Sequence, residues 1–485
     1  MHIVIAAAEV VPFSKTGGLA DVCGALPKEL VALGHDVTVV TPYHRVVDNW
    51  FERQGVVPEV FEERTIAWAN WKAPARFVRT TLPDTDVPVI FIANELFDRP
   101  SIYASFGRHD DDLERFTFFS RAVVAACEAL GKDVDILHVH DWHTGPLPAY
   151  LESGLRQVPI FRNTASVFTI HNLNYQGRYK ADRYRFLGLD SNFWNAFEFH
   201  DALNMMKGGI TCANQVTTVS PGYADEIRTY EGGAGLDGLL RHVSGKLSGI
   251  LNGIDADSWN PETDDAIAQT FTAGDLEGKQ LCKDEVRQEL RLPTHAGRPL
   301  IGVVSRLVDQ KGLDLLVPAI GKLVHEGAQF AILGSGDRHL ENEFHRLDGT
   351  FPESVSFRSG FHGGLARRIT AGSDLILMPS RYEPCGLNQM YALRYGALPI
   401  VRFTGGLADS VIPFTGGNIE SATGFAFQRA DAGDLMGATL AAMRVYHHRT
   451  TWKKLQQNAM AVDFSWTVAA RQYVEVYERA RMRSS

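Results

Sequence analysis

Short apolar, β-branched runs recur along this chain, each closed by a polar or glycine-rich turn and followed by helical patterning. In the first half, strands are predicted at His2–Ala7, Asp36–Val40, Val87–Ile92, Ile136–His140, Val167–Ile170 and Val216–Val219. In the second half they are predicted at Leu300–Val304, Phe330–Leu333, Val355–Phe357, Leu375–Met378 and Leu398–Val401. Continuous apolar strands that alternate with helices predict parallel sheets covered on both faces. These are too many strands for one such sheet at this spacing. The rhythm pauses near Leu251–Thr270, where Asn252-Gly253-Ile254-Asp255 and Trp259-Asn260-Pro261 supply turn chemistry. The expected architecture is α/β, with two doubly wound, Rossmann-like parallel-sheet domains facing across a cleft. Their expected bounds are residues 1–248 and 249–460, and a helix within 461–485 is expected to return to the first domain.

Composition removes several function classes. Lys+Arg 48 against Asp+Glu 57 leaves a formal charge of −9, so no basic excess exists to hold a nucleic-acid backbone. Cys23, Cys127, Cys212, Cys282 and Cys385 are scattered and never spaced C-x-x-C, which indicates neither a disulfide framework nor a structural zinc site. The N-terminus has no basic n-region, and no run of about 18 apolar residues occurs, so neither a signal peptide nor a membrane span is expected. A cytoplasmic enzyme is the expectation.

In open α/β sheets, ligands bind at the carboxyl ends of strands, and most of the unusual polar clusters of this chain fall at such ends. Lys15-Thr16-Gly17-Gly18 follows the first predicted strand, His138 to His143 closes the fourth, and Thr169-Ile170-His171-Asn172 closes the fifth. Beyond the break, Ser305-Arg306 and Gln310-Lys311-Gly312 follow one strand, and Ser380-Arg381-Tyr382-Glu383-Pro384-Cys385-Gly386 follows another. Lys15, Arg306 and Lys311, with the amides of the turn at Cys385-Gly386-Leu387, have the makings of a pyrophosphate clamp. On spacing alone, solvated surface charge is an equal reading for Arg306 and Lys311. Glu383 suits either a sugar-binding carboxylate or an acid at a helix N-terminus. His171 suits a sugar contact or a satisfied core histidine, and Trp142 a stacking platform or a core residue.

His138 and His140 share a strand face, but no carboxylate or Cys at ligand spacing completes a metal site with them, so no metal is expected. Asp133-Val134-Asp135 and Asp255-Ala256-Asp257 read better as turns than as metal-binding triplets. G-x-G-x-x-G, G-x-x-x-x-G-K-[ST], G-x-S-x-G and H-E-x-x-H are all absent, which removes the main support for dinucleotide oxidoreductase, P-loop, serine hydrolase and zincin chemistry. Thr16-Gly17-Gly18-Leu19-Ala20-Asp21 recurs as Thr404-Gly405-Gly406-Leu407-Ala408-Asp409 at a different topological position, a local convergence on one turn and not a repeat.

The chain resembles the bacterial-type glycogen synthases and plant starch synthases, glycosyltransferase family 5 enzymes of the GT-B fold. The blocks that carry the resemblance run nearly end to end: Lys15 to Val22, His140 to His143, Thr169 to Gly177, Lys207 to Ile210, Thr217 to Pro221, Leu251 to Asp255, Ser305 to Leu307 with Gln310 to Gly312, and Pro379 to Leu387. The resemblance implies a hexosyltransferase that moves glucose from ADP-glucose to the non-reducing end of an α-1,4-glucan, with retention and with no cofactor or metal. Catalytic roles would fall to Lys15, His171, Arg306, Lys311 and Glu383. The donor would be held by Lys15, Gly17, Gly18, Arg306, Lys311, Phe361, Cys385, Gly386 and Leu387. Asp21, Asp141, Trp142, Asn172 and Asn252 would position the acceptor or sugar hydroxyls. Closure of the cleft would exclude water from the donor.

One departure is Phe361-His362, where the family more often has Tyr followed by an acidic residue. Phe361 would still stack on adenine but would lose a hydroxyl hydrogen bond. The lack of an N-terminal extension favours a glycogen-type over a plastid-targeted enzyme. Three rival readings remain: a UDP-glucose-dependent relative, a non-catalytic glucan-binding scaffold, and a pyridoxal-phosphate glucan phosphorylase, which is usually far longer. Glycogen or a maltooligosaccharide is the expected partner, with no nucleic acid and no membrane. The sequence does not indicate an oligomeric state.

Overall fold

The computed structural model describes residues 1–103, 111–295 and 297–484. The chain forms two compact units, Met1–Gly253 with Trp466–Ser485, and Ile254–Ser465. The crossing falls a few residues beyond 248 because the first sheet still claims that stretch. Its last strand is Leu247–Gly249, and the amide of Ile250 donates to Thr218 O at 2.8 Å.

The first unit is built on β1 (His2–Ala6), β2 (Asp36–Pro42), β3 (Glu59–Trp68), β4 (Trp71–Thr81), β5 (Pro88–Ala93), β6 (Ile136–His140), β7 (Ala165–Ile170), β10 (Gln215–Thr218) and β11 (Leu247–Gly249). They form one sheet in the order β11-β10-β7-β6-β1-β2-β5-β4-β3, and β8 (Arg178–Lys180) and β9 (Ala202–Asn204) form a separate antiparallel pair. The strands from β11 to β5 run parallel, while β4 and β3 are antiparallel. Central strands such as β1 and β6 are buried at every position, as continuous apolar runs require of a sheet covered on both faces. The helix Trp466–Ser484 lays Trp466, Tyr473 and Tyr477 into the same core as Ile3, Ile5, Val37 and Val167.

The second unit carries β12 (Leu300–Val304), β13 (Gln329–Gly334), β14 (Val355–Ser359), β15 (Leu375–Met378), β16 (Leu398–Arg402) and β17 (Phe425–Phe427). All are parallel, in the order β14-β13-β12-β15-β16-β17. Two doubly wound sheets therefore place their strand-end loops at defined edges, which is where the polar blocks of the sequence lie. No helix among the described residues is long and apolar enough to cross a membrane.

Candidate active-site residues

In the first unit, the loop after β1 leads into the helix Gly18–Ala32, whose N-cap, Gly17, offers no side chain to its first-turn amides. Glu9 holds this loop from beneath: its carboxylate accepts from the amide and, at 2.8 Å, from the hydroxyl of Thr16. Burial raises the Glu9 pKa, and the hydrogen bonds from Thr16, Tyr103 and Gly17 oppose that rise. Lys15 reaches forward to Asp21 at 2.6 Å, with half of its side chain in solvent. Two residues assigned to separate roles from sequence are thus an ion pair on one turn.

At the ends of β6 and β7, Asp141 adopts φ 57°, a left-handed conformation that an L side chain rarely takes. Its Oδ1 accepts from the amide of His171 at 2.8 Å, and the amide of Asn172 also donates to the carboxylate. Burial, only partly offset by those bonds, pushes Asp141 up to about 7. Below it, three histidines line the sheet interior. His138 bridges Thr169 Oγ1 at 2.7 Å and Tyr477 OH at 2.8 Å, and His140 Nδ1 meets His171 Nε2 at 2.9 Å. Burial pushes His138 and His171 down to about 3 and His140 well below its ordinary value, so all three are neutral at working pH. No group of three or more His, Cys, Asp or Glu among the described residues is arranged to hold a metal ion.

Trp142 is a core residue. It is 9% exposed, packs edge-on to Phe116 at 5.2 Å, lies 4.1 Å from the His143 ring, and presents no free face for a sugar. Asn172 uses its side chain in a local turn, accepting from the amide of Asn174 at 3.1 Å. Asn252 is 4% exposed, and its Oδ1 has no hydrogen-bond partner among the described residues.

In the second unit, the loops after β12 and β15 are latched together. Gly312 sits at φ 61°, and a Cβ there would lie 2.2 Å from Pro379 O, so only glycine lets the two loops approach this closely. Arg381 ties them further, with a bidentate pair to Asp314 at 2.7 and 2.6 Å and its amide donating to Gln310 O at 2.8 Å. Between these fastenings, Lys311 Nζ meets Glu383 Oε2 at 2.5 Å, and Ser380 Oγ donates to the same oxygen at 2.9 Å. Arg402 donates to Ser380 O at 2.9 Å and to Arg381 O, fixing the Glu383 turn from behind. Arg306 is exposed, and its guanidinium has no ion-pair or hydrogen-bond partner among the described residues. Cys385 is buried, Gly386 takes φ 71°, and Leu387 caps the helix Asn388–Arg394. Phe361, between β14 and the next helix, is 89% exposed.

Sequence reading located these strand ends but not the pairings that fix them. Ser380 and Arg381 stand in a polar strand-end block, yet like Glu9 and Arg402 they act through partners in space that the sequence does not reveal. His140 stood in the histidine cluster and in one of the family-like blocks, with no role of its own assigned to it.

Residues 2–242 match the family described as starch synthase catalytic domain, and residues 298–444 match glycosyl transferases group 1. The glycogen synthase of Pseudothermotoga lettingae is 42% identical over 487 residues, covering 99% of both chains. That of Anaeromyxobacter dehalogenans is 44% identical, over 98% of this chain and 99% of its own. Among solved structures, the catalytic domain of starch synthase IV from Arabidopsis thaliana, bound to ADP and acarbose, superposes with a TM-score of 0.87 at 36% identity over 99% of both chains. Sucrose-phosphate synthase from Thermosynechococcus elongatus, at 19% identity and a TM-score of 0.58 over 98% of both chains, shares the fold. The chain belongs to the glycogen synthase and starch synthase family, with the GT-B fold.

Proposed function

We propose that this chain is a cytoplasmic glycogen synthase that transfers glucose from ADP-glucose to the non-reducing end of an α-1,4-glucan, with retention and without metal or cofactor. The observation that carries the reading is the latched Lys311–Glu383 pair with the exposed Arg306 guanidinium, unpartnered among the described residues, on the neighbouring strand end. When the bond from C1 to the ADP oxygen breaks, negative charge grows on the diphosphate and positive charge on the sugar ring. Arg306 and Lys311 answer the first, and the Glu383 carboxylate answers the second. Because Lys311 and Glu383 already hold each other in place, little reorganisation of that pair is needed as the charges develop. Lys15 shares in neutralising the leaving diphosphate, and the amides at Gly17, Gly18, Gly386 and Leu387 receive phosphate oxygens. Neutral His171 hydrogen-bonds the donor glucose, while Asp21, Asp141, Asn172 and Asn252 position hydroxyls. The ADP-bound starch synthase relative supports the choice of donor.

Phe361 offers an exposed ring on which adenine stacks better than the smaller uracil. Stacking of this kind contributes about 1–3 kcal/mol. Phe361→Ala is therefore expected to raise the donor KM roughly tenfold, with a smaller change in kcat. The test is kcat/KM for ADP-glucose and UDP-glucose on glycogen, in the wild type and in Phe361→Ala. Equal or better use of UDP-glucose by the wild type would sink the donor assignment, and an unchanged KM in the variant would move the base site elsewhere.

A further inference from the structure

Where β6 and β7 end, two neutral imidazoles face each other, His140 Nδ1 against His171 Nε2 at 2.9 Å. Each neutral ring carries one N–H, so one of the two facing nitrogens donates and the other accepts. If His171 donated, His140 would carry its own proton on Nε2, and that atom is buried without a hydrogen-bond partner among the described residues. Orphaned buried N–H groups are rare and costly. If His140 donates from Nδ1, its Nε2 holds only a lone pair, and the proton of His171 must sit on Nδ1. That nitrogen of His171 has no partner among the described residues.

We infer that His140 is a positioning residue which donates from Nδ1 to His171 Nε2 and so fixes His171 as the tautomer that presents Nδ1–H to the glucosyl unit. This rests on the reading above that His171 faces the donor glucose. His140 is held for the task. Its side chain is fully buried, its ring lies 4.1 Å from that of His138, and His138 is pinned at both nitrogens by Thr169 and Tyr477. His171 is fixed a second time by its amide, which donates to Asp141 at 2.8 Å. A sugar oxygen accepts from such an N–H without surrendering its own proton, so the contact persists as charge shifts in the ring. The opposite tautomer would offer only a lone pair and would require the hydroxyl to donate.

The direct test is a long-range proton–nitrogen correlation spectrum of the imidazole rings in the wild-type protein at neutral pH, with His171→Gln identifying the His171 signals. A proton on His171 Nδ1 is expected, and a proton on Nε2 overturns the inference. Kinetics supply a second arm. His140→Leu removes the donor and is expected to lower kcat by roughly tenfold to a hundredfold at nearly unchanged donor KM. His140→Asn, whose amide can stand where Nδ1–H stood, is expected to recover most of that loss. A folded His140→Leu with wild-type kcat, or with its loss confined to KM, also overturns the inference. If His140→Leu does not fold, the ring spectrum and His140→Asn decide. If the wild type transfers no glucose from ADP-glucose, the proposed function fails, while the ring spectrum still decides which nitrogen of His171 carries its proton.

Discussion

The two copies of Thr-Gly-Gly-Leu-Ala-Asp are identical in sequence and opposite in situation. In the copy at Thr16–Asp21, Thr16 and Gly18 are exposed, and a Cβ on Gly18 would meet nothing within 4 Å. Nothing in the surrounding protein requires glycine there; what glycine leaves bare is the N-terminal amide face of a helix of 15 residues. In the copy at Thr404–Asp409, Gly405 and Gly406 are buried, and a Cβ on Gly406 would fall 2.3 Å from Cys385 O. The Gly406 amide donates to Glu383 O at 3.0 Å, so this copy braces the turn that carries the carboxylate. One hexapeptide therefore leaves a helix N-terminus open at one strand end and serves as packing at another. The neighbouring elements decide which.

This contrast is broken or sharpened by substitutions in each copy. Lys15→Ala, next to the open copy, is expected to lower kcat by about 10²–10³, or about 3–4 kcal/mol, with melting temperature nearly unchanged. Its one ion-pair partner among the described residues is Asp21, and Lys15 itself is half in solvent, so little stability is at stake. Retention of more than about a third of wild-type activity would remove Lys15 from the phosphate-binding role. Gly406→Ala drives a Cβ into the Cys385 backbone and is expected to cost about 2–3 kcal/mol, read as a fall of roughly 4–8 °C in the melting temperature of the second unit. A wild-type melting curve would show that the turn yields freely and does not depend on this copy.

Asp141 tests the buried end of the first unit by pH. Its folded pKa is raised to about 7 by burial, against the ordinary 3.8. The stability it contributes is therefore full below about 4 and is lost as pH rises through about 7. Asp141→Asn keeps an acceptor for the amides of His171 and Asn172 but cannot ionise. The wild type is expected to lose about 4 °C of melting temperature relative to the variant across that window, with the difference flat above it. A constant difference from pH 4 to pH 8 would mean that Asp141 is ionised throughout. The smallest effect is expected at the open copy. Gly18→Ala should melt within about a degree of the wild type and lose roughly tenfold in kcat/KM, because a methyl group there meets only what binds the amides.

The central strands were legible because burial on both faces leaves continuous apolar runs, and every predicted run overlaps an observed strand. The β3–β4 hairpin was not, since Glu59–Trp68 shows neither a continuous apolar run nor a strict alternation, and it turns at Ala69 with φ 47° instead of at an Asn-Gly pair. β17, Phe425–Phe427, is too short to carry a pattern. At the site, residue types and strand-end positions were visible, but pairings were not. Lys311 and Glu383 lie 72 residues apart, and His140 and His171 lie 31 apart. Trp142 could be read either way because Phe116 and Gly177, which the fold brings against its ring, are distant in sequence.

The most direct measurement is glycogen-dependent conversion of radiolabelled ADP-glucose, following ADP release and label in the polymer together. The expected result is one glucose incorporated per ADP released, all of it removable by an exo-acting enzyme that attacks α-1,4 linkages from the non-reducing end. ADP release without incorporation, or no turnover when glycogen is added, would contradict the assignment of this chain as a glucan-extending transferase.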